Sequence, residues 1–185
     1  VSEYWVLVFR EGGARTEAEY LEVLGGVIDE AVRLRMISDV PLGALLSGGV
    51  DSSAIVASMR SLSSGPLKTF SIGFEEGDYN EVQYARIVAD RFETEHHEFI
   101  VKPARGEDML ARLVWHYNEP YADSSALTSW YLCQMARQHV TVALAGDGGD
   151  ENFAGYSRYQ VVGRGRLEGL PGCVKQGLSA ALAAA

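Results

Sequence analysis

A short apolar run, Ala44-Leu45-Leu46, leads directly into Ser47-Gly48-Gly49-Val50-Asp51-Ser52-Ser53. That order predicts a buried strand, a tight turn and then a helix. Adjacent glycines let the backbone turn sharply and come close to a ligand. The first helical turn beyond them carries N–H groups without intrahelical acceptors and the positive end of the helix dipole. Such a turn suits a phosphate. Asp51 narrows the chemistry. A carboxylate beside phosphates is repulsive unless a cation lies between them, and Mg2+ binds through one or two carboxylates together with phosphate oxygens. The segment therefore predicts a Mg2+–polyphosphate ligand. A plain helix cap accounts for one glycine and one Ser or Asp. It does not account for two glycines, three serines and a carboxylate around one turn. The segment lacks the Gly-x-x-x-x-Gly-Lys-Ser/Thr phosphate loop and the Gly-x-Gly-x-x-Gly dinucleotide pattern.

Hydrophobic spacing extends this unit along the chain. Tyr4–Phe9 reads as a short strand or a linker. Thr16 and Glu19 form a capping-box pattern. Leu21, Leu24, Ile28, Val32 and Leu34 follow at near-helical spacing, with Gly25-Gly26 as a weak point. A helix from Asp51 or Ser52 to about Leu62 turns Ile55, Val56 and Met59 inward. Phe70, Ile72 and Phe74 alternate as in a strand. Asn80 caps a helix with the stripe Val82, Ala85, Val88 and Phe92. His97–Val101 reads as a third strand. Helices are predicted near Gly106–His116 and Ser124–Gln138, and Val140, Val142 and Leu144 mark a fourth strand. The remainder reads as helical or loose, with an alanine-rich end that favours helix. Strand–helix alternation predicts an α/β fold, a doubly wound parallel sheet with helices on both faces. In such sheets ligands bind beyond the C-terminal strand ends.

The second rich motif lies at such an end. Gly146-Asp147-Gly148-Gly149-Asp150-Glu151 places three acids and three glycines after the fourth strand. Alone it reads as a solvated turn. If it faces the same crevice as Asp51, then Asp51 and Asp150 can hold Mg2+ together. His96-His97 is weak as a metal site, because adjacent strand residues point to opposite faces. One is expected to face the core and the other solvent. Trp115, Trp130 and Tyr131 are expected in the core.

Composition sets outer limits. The 185 residues fit one domain. A hydrophobic share of 47% supports a core, and no apolar run is long enough to span a membrane. Val1–Arg10 lacks signal-peptide features. Cys133 and Cys173 are too few and too distant for a disulfide framework or zinc site, so a reducing cytoplasm is expected. A net charge of −9 argues against a nucleic-acid surface.

The loop Ser47–Ser53 resembles the pyrophosphate loop of the N-type ATP pyrophosphatases. That group includes the asparagine, β-lactam, GMP and argininosuccinate synthetases. The flanking text narrows the resemblance to glutamine-dependent asparagine synthetases. Ser38-Asp39-Val40-Pro41-Leu42-Gly43 carries it, as do Phe70-Ser71-Ile72-Gly73-Phe74 with Tyr79-Asn80-Glu81, and Glu95-His96-His97-Glu98. So do Glu119-Pro120-Tyr121-Ala122-Asp123-Ser124-Ser125, and Ala145 to Glu151 with Gly155-Tyr156. The match runs from about Tyr20 to Tyr159, most of the chain.

The resemblance implies an adenine nucleotide alpha hydrolase-like fold and adenylation followed by amide formation. ATP and Mg2+ are implied, with aspartate as the carboxylate substrate. Ser47, Gly48, Gly49, Val50, Asp51, Ser52 and Ser53 would bind ATP. Ser47, Gly49, Ser52 and Mg2+ would hold the departing pyrophosphate. Leu45, Ile72, Gly73, Ala145 and Gly146 would surround the adenosine, although Leu45 and Ile72 also read as core strand residues. Asp51 and Asp150 match the metal-ligand positions. Asp147 fills a position that is Glu in many asparagine synthetases, near the reacting α-phosphate, with a shorter side chain. Ser47, Asp51 and Asp147 are the candidate catalytic residues. Asp123-Ser124-Ser125 lies near nucleotide or aspartate by resemblance and reads as a helix cap by pattern.

Family members usually begin with a glutaminase domain bearing an N-terminal Cys, and place a catalytic Lys downstream. The chain has no cysteine before Cys133. It is expected to be a fragment, with 1–15 as a linker and 16–185 as a truncated synthetase domain, inactive or weakly active alone. Ammonia would come from the missing glutaminase domain, and a homodimer is an open expectation. Rival readings are a β-lactam synthetase-like or peptide-cyclising enzyme, a non-catalytic nucleotide-binding module, and a sulfur-transfer enzyme acting on RNA.

Overall fold

The structure is a computed structural model that describes residues 2, 4–6, 8, 13, 15–74, 82–101, 106–123, 125–157 and 159. The expected cap Asn80 lies outside them. The chain divides into two compact units, Val1–Gly146 and Asp147–Ala185.

The first unit runs α1 (Glu17–Arg35), β1 (Leu42–Leu45), α2 (Val50–Leu62), β2 (Lys68–Phe74), α3 (Val82–Arg91), β3 (Glu95–Val101), α4 (Gly106–Tyr117), α5 (Ser125–Ala136) and β4 (Val142–Leu144). The sheet order is β3-β2-β1-β4, and every pairing is parallel. The chain winds outward from β1 through β2 to β3, then returns to lay β4 on the other side of β1. The winding therefore reverses between β1 and β4. Register puts Ala44 opposite Leu144, so both strands end at the same level. Ligand crevices of open parallel sheets lie at such a reversal.

Helices cover both faces, as the alternation predicts. Ala44, Leu46 and Leu144 pack with Val32 of α1, Val56 and Met59 of α2, and Ala85 and Ala89 of α3. On the other face Phe70 packs with Ala136 and Val140, joined by Leu45, Phe99, Leu132 and Ala143. Successive residues of β1 thus enter opposite cores, as a strand's two-residue period requires.

α1 opens on the expected capping box. The Thr16 N–H donates to Glu19 Oε2 at 2.7 Å, and the Glu19 N–H donates to Thr16 Oγ1 at 3.3 Å. The helix passes unbroken through Gly25-Gly26. Leu24, Ile28 and Val32 are at least partly buried, but Leu21 and Leu34 are exposed. Among the described residues α2 is the helix packed on α1, and the buried stripe is narrower than the apolar pattern. Trp115 also departs from expectation. It is 83% exposed, because the buried contact of α4 is Leu113. Trp130 and Tyr131 are half-buried on α5.

His96 and His97 point to opposite faces, but neither is left to solvent. Parallel register sets His96 beside Thr69 and His97 beside Phe70. His96 Nδ1 lies 2.8 Å from Thr69 Oγ1, and Nε2 lies 3.1 Å from Ser71 Oγ. The His97 ring stacks on Phe70 at 5.3 Å and meets His139 at 4.0 Å. The expectation of a solvated partner fails because helices cover both faces. Burial holds the His96 pKa below its ordinary value, while Glu98 pulls the other way.

This packing makes three predictions. Phe70 is fully buried, so Phe70→Ala is expected to cost about 3–5 kcal/mol. Trp115→Ala is expected to stay within about 0.5 kcal/mol, both read from urea unfolding. A histidine with a depressed folded pKa binds fewer protons folded than unfolded. Its contribution is whole above the unfolded value of about 6.5 and is lost as pH falls toward the folded value. Unfolding midpoints measured downward from about pH 7 are expected to fall through that window, and less steeply in His96→Gln.

Candidate functional site

The Ser47–Ser53 loop leaves β1 at the reversal of the sheet and opens α2 at Val50. Hydroxyls lace it together. Ser47 Oγ and Ser52 Oγ are 3.0 Å apart. The Gly49 N–H donates to Ser47 Oγ at 3.2 Å, and the Ser47 N–H donates to Ser52 Oγ at 3.3 Å. Ser52 and Ser53 hydroxyls donate to the Gly49 carbonyl at 3.2 and 2.7 Å. These bonds are mutually consistent when Ser47 donates to Ser52. The serines thus hold the loop's shape. The N–H groups of Val50, Asp51 and Ser52 lie in the first helical turn, which supplies no intrahelical acceptor.

Two glycines make that shape possible. Gly48 has φ +85°, and a Cβ there would stand 2.5 Å from both the Ala85 backbone N and Tyr84 Cβ. The loop turns directly against the backbone of α3. Gly146, just beyond β4, lies over the start of α2. A Cβ on it would stand 2.9 Å from the Ser52 backbone N and 3.1 Å from the Asp51 carbonyl carbon. Either side chain would force backbone apart, and one on Gly146 would cover an N–H that an anion could use.

Asp51 stands half-buried on this first turn. Among the described residues no cation pairs with it. Its oxygens therefore suit a hard cation shared with phosphate. Leu45 packs into the Phe70 core, consistent with a strand role. Ile72 is half-buried and Gly73 buried, past the last β1 partner of β2 at Phe70. Ala145 is half-buried beside Gly146. Leu45, Ile72, Gly73, Ala145 and Gly146 thus all lie at C-terminal strand ends of one sheet. Asp123 behaves as a cap: the Ser125 N–H donates to its Oδ1 at 2.8 Å, and that bonding holds its pKa low.

Asp147 and Asp150 belong to the second unit. There α6 (Gly149–Phe153) starts from Gly148 at φ +89°. Asp147 is exposed and Asp150 half-buried. The Asp150 side chain lies over Gly155, where a Cβ would collide with its carboxylate. Asn152 Nδ2 donates to the Gly148 carbonyl at 2.6 Å, bracing the turn.

Tyr84 and Ala85 form the wall behind Gly48, a contact that the pattern of the residues does not mark. Their only local signal is Ala85, a small residue on the apolar stripe of α3.

Residues 24–184 match the asparagine synthase family. A Methanocaldococcus jannaschii protein bearing the name asparagine synthetase (glutamine-hydrolysing) 2 is 49% identical over 128 residues, covering 69% of this chain and 25% of that protein. Asparagine synthetase (glutamine-hydrolysing) 1 of Bacillus subtilis is 38% identical over 144 residues, covering 78% of this chain and 23% of that protein. The chain thus spans about a quarter of the length of these relatives. The solved NMN synthetase of Francisella tularensis aligns at TM-score 0.47 and 21% identity, over 77% of this chain and 59% of its own. Among the described residues no helix is long and apolar enough to cross a membrane.

Gly48→Ala combines a left-handed φ with a backbone collision, so it is expected to destabilise the chain by more than about 1 kcal/mol. Gly65→Ala, with only Ser63 Oγ at 3.5 Å, is the control expected to change little. Thermal unfolding of the two variants checks the contrast.

Proposed function

The chain belongs to the asparagine synthase family, and from that premise we propose that it carries the ATP site of an amide-forming ligase that makes asparagine. One observation carries the proposal. A glycine turn, the N-terminal N–H groups of α2 and the bare Cα of Gly146 converge where the sheet's winding reverses. That is a place for a nucleotide's phosphates.

In the proposed reaction the side-chain carboxylate of aspartate attacks the α-phosphorus of ATP. The bond between the α- and β-phosphates breaks and pyrophosphate leaves. Ammonia then attacks the acyl carbon, and AMP departs as asparagine forms. The chain's part is positioning and charge stabilisation. Backbone N–H groups of Val50, Asp51 and Ser52 would take the pyrophosphate oxygens, while Ser47 and Gly49, which the resemblance also places against them, would exchange their bonds within the loop for the phosphate. The loop's shape is set beforehand by the serine bonds, so little backbone reorganisation is needed. Gly48 and Ser53 would keep that loop in register, while Leu45, Ile72, Gly73 and Ala145 would flank the adenosine. Mg2+, when bound, neutralises charge on the phosphates. The donor chemistry of Asp51 fits it, and the motif resemblance adds Asp150 as second ligand and Asp147 near the α-phosphate. The ammonia would come from a glutaminase domain of the longer protein, as the names of the relatives suggest.

Calorimetric titration of ATP into the chain tests the reading. Binding is expected to need Mg2+ and to weaken at least about tenfold in Asp51→Asn. A folded chain that binds ATP equally well with and without Mg2+, or not at all, would overturn it. Aspartate-dependent AMP release by the longer protein then tests the substrate.

A further inference from the structure

We propose that Arg86, Glu98 and His96 are positioning residues for the Ser47–Ser53 loop, acting through α3. The loop cannot be placed without α3, because Gly48 turns against the Tyr84–Ala85 backbone at 2.5 Å from where a Cβ would stand. A shift of α3 by a fraction of an ångström must therefore open or crowd the turn. The next residue along, Arg86, ties this level of α3 to β3. Its Nε donates to Glu98 Oε1 at 2.5 Å and its Nη2 to Oε2 at 2.6 Å. A planar fork on a carboxylate fixes direction as well as distance. The guanidinium holds the Glu98 carboxyl below the usual carboxylate range.

His96 lies beneath the carboxylate, with Nε2 3.7 Å from Glu98 Oε1 and its side chain 11% exposed. Thr69 and Ser71 of β2 pin both ring nitrogens. The ring therefore backs Glu98 from the sheet side. The opposite end of α3 is anchored separately. Arg60 of α2 donates to the carbonyls of Phe92 and Glu93, both at 2.8 Å, and to that of Gly65 at 2.9 Å. α3 is thus held at its far end by Arg60, along its length by Ala85 and Ala89, and level with the loop by the fork. An exposed ion pair is ordinarily weak. The proposed value of this one lies in the geometry it sets, not in stability.

The molecule contains its own control. Arg33 and Glu30 form the same fork within α1, at 2.7 and 2.8 Å, and tie nothing to the loop. Hydrogen exchange on the full 185-residue chain without ligand separates the two roles. Amides of 47–53 are expected to exchange about three- to tenfold faster in Glu98→Gln and Arg86→Met, with α5 amides unchanged. Arg86→Lys, which keeps the charge and loses the fork, is expected to lie between. His96→Gln, which retains one side-chain donor, is expected to show a smaller change in the same direction. Glu30→Gln is expected to leave the loop as it is. Unchanged loop exchange in Glu98→Gln and Arg86→Met, or acceleration spread evenly over the unit, would overturn the proposal. Titration of ATP with Mg2+ into the same variants rests on the functional reading above, and the affinity is expected to fall by a similar factor. A wild-type chain that binds no ATP while its loop amides still respond to Glu98→Gln would sink the nucleotide reading and uphold the positioning role.

Discussion

At the end of β1 there is no room for side chains between the backbones that meet there. A Cβ on Gly48 would press on α3, and one on Gly146 would press on the first turn of α2. β1 is paired on both sides and sends Ala44 and Leu46 into one core and Leu45 into the other. It is, with β2, one of the two central strands of the sheet. A loop that leaves such a strand inherits its rigidity, which an anion site made of backbone N–H groups requires.

The forces that hold this arrangement differ in kind. Apolar burial is non-directional and brings α1, α2 and α3 onto one face without fixing their exact height. Directional bonds set the height. The Ser58 hydroxyl donates to Asp29 Oδ1 at 2.5 Å between α2 and α1. Arg60 clasps three carbonyls around the end of α3, and the Leu46 N–H extends the ladder to Phe70 O at 2.8 Å. The serines of the loop repeat the principle on a smaller scale, since each hydroxyl is committed to a loop atom. A phosphate would find its N–H partners already aimed.

This division of labour fits the proposed chemistry. Departure of pyrophosphate asks for little covalent help and much fixed charge and geometry. A glycine turn against a helix backbone provides geometry cheaply in side chains but leaves little latitude for substitution. Of the acids of the second unit, Asp150 sits on the first turn of a short helix started by the left-handed Gly148, and Asp147 immediately precedes that glycine.

Much of this was legible in the residues alone. The strand–turn–helix at Ala44–Ser53, the Thr16–Glu19 box, the parallel α/β class and the family resemblance rest on local pattern, and local pattern is written in sequence order. What packs against what is not. The return of β4 to the far side of β1, the wall of Tyr84 and Ala85 behind Gly48, and the fork from Arg86 to Glu98 join residues distant along the chain. No periodicity marks such pairs. Leu21, Leu34 and Trp115 are apolar yet exposed, and His97 is polar yet stacked on Phe70. In each case hydrophobicity states a preference, and the supply of neighbouring surface decides it. The sequence by itself thus determined the glycine- and serine-rich turn between β1 and α2. Only the tertiary structure decided what holds the turn, because contact between elements depends on the order in which the strands are laid side by side.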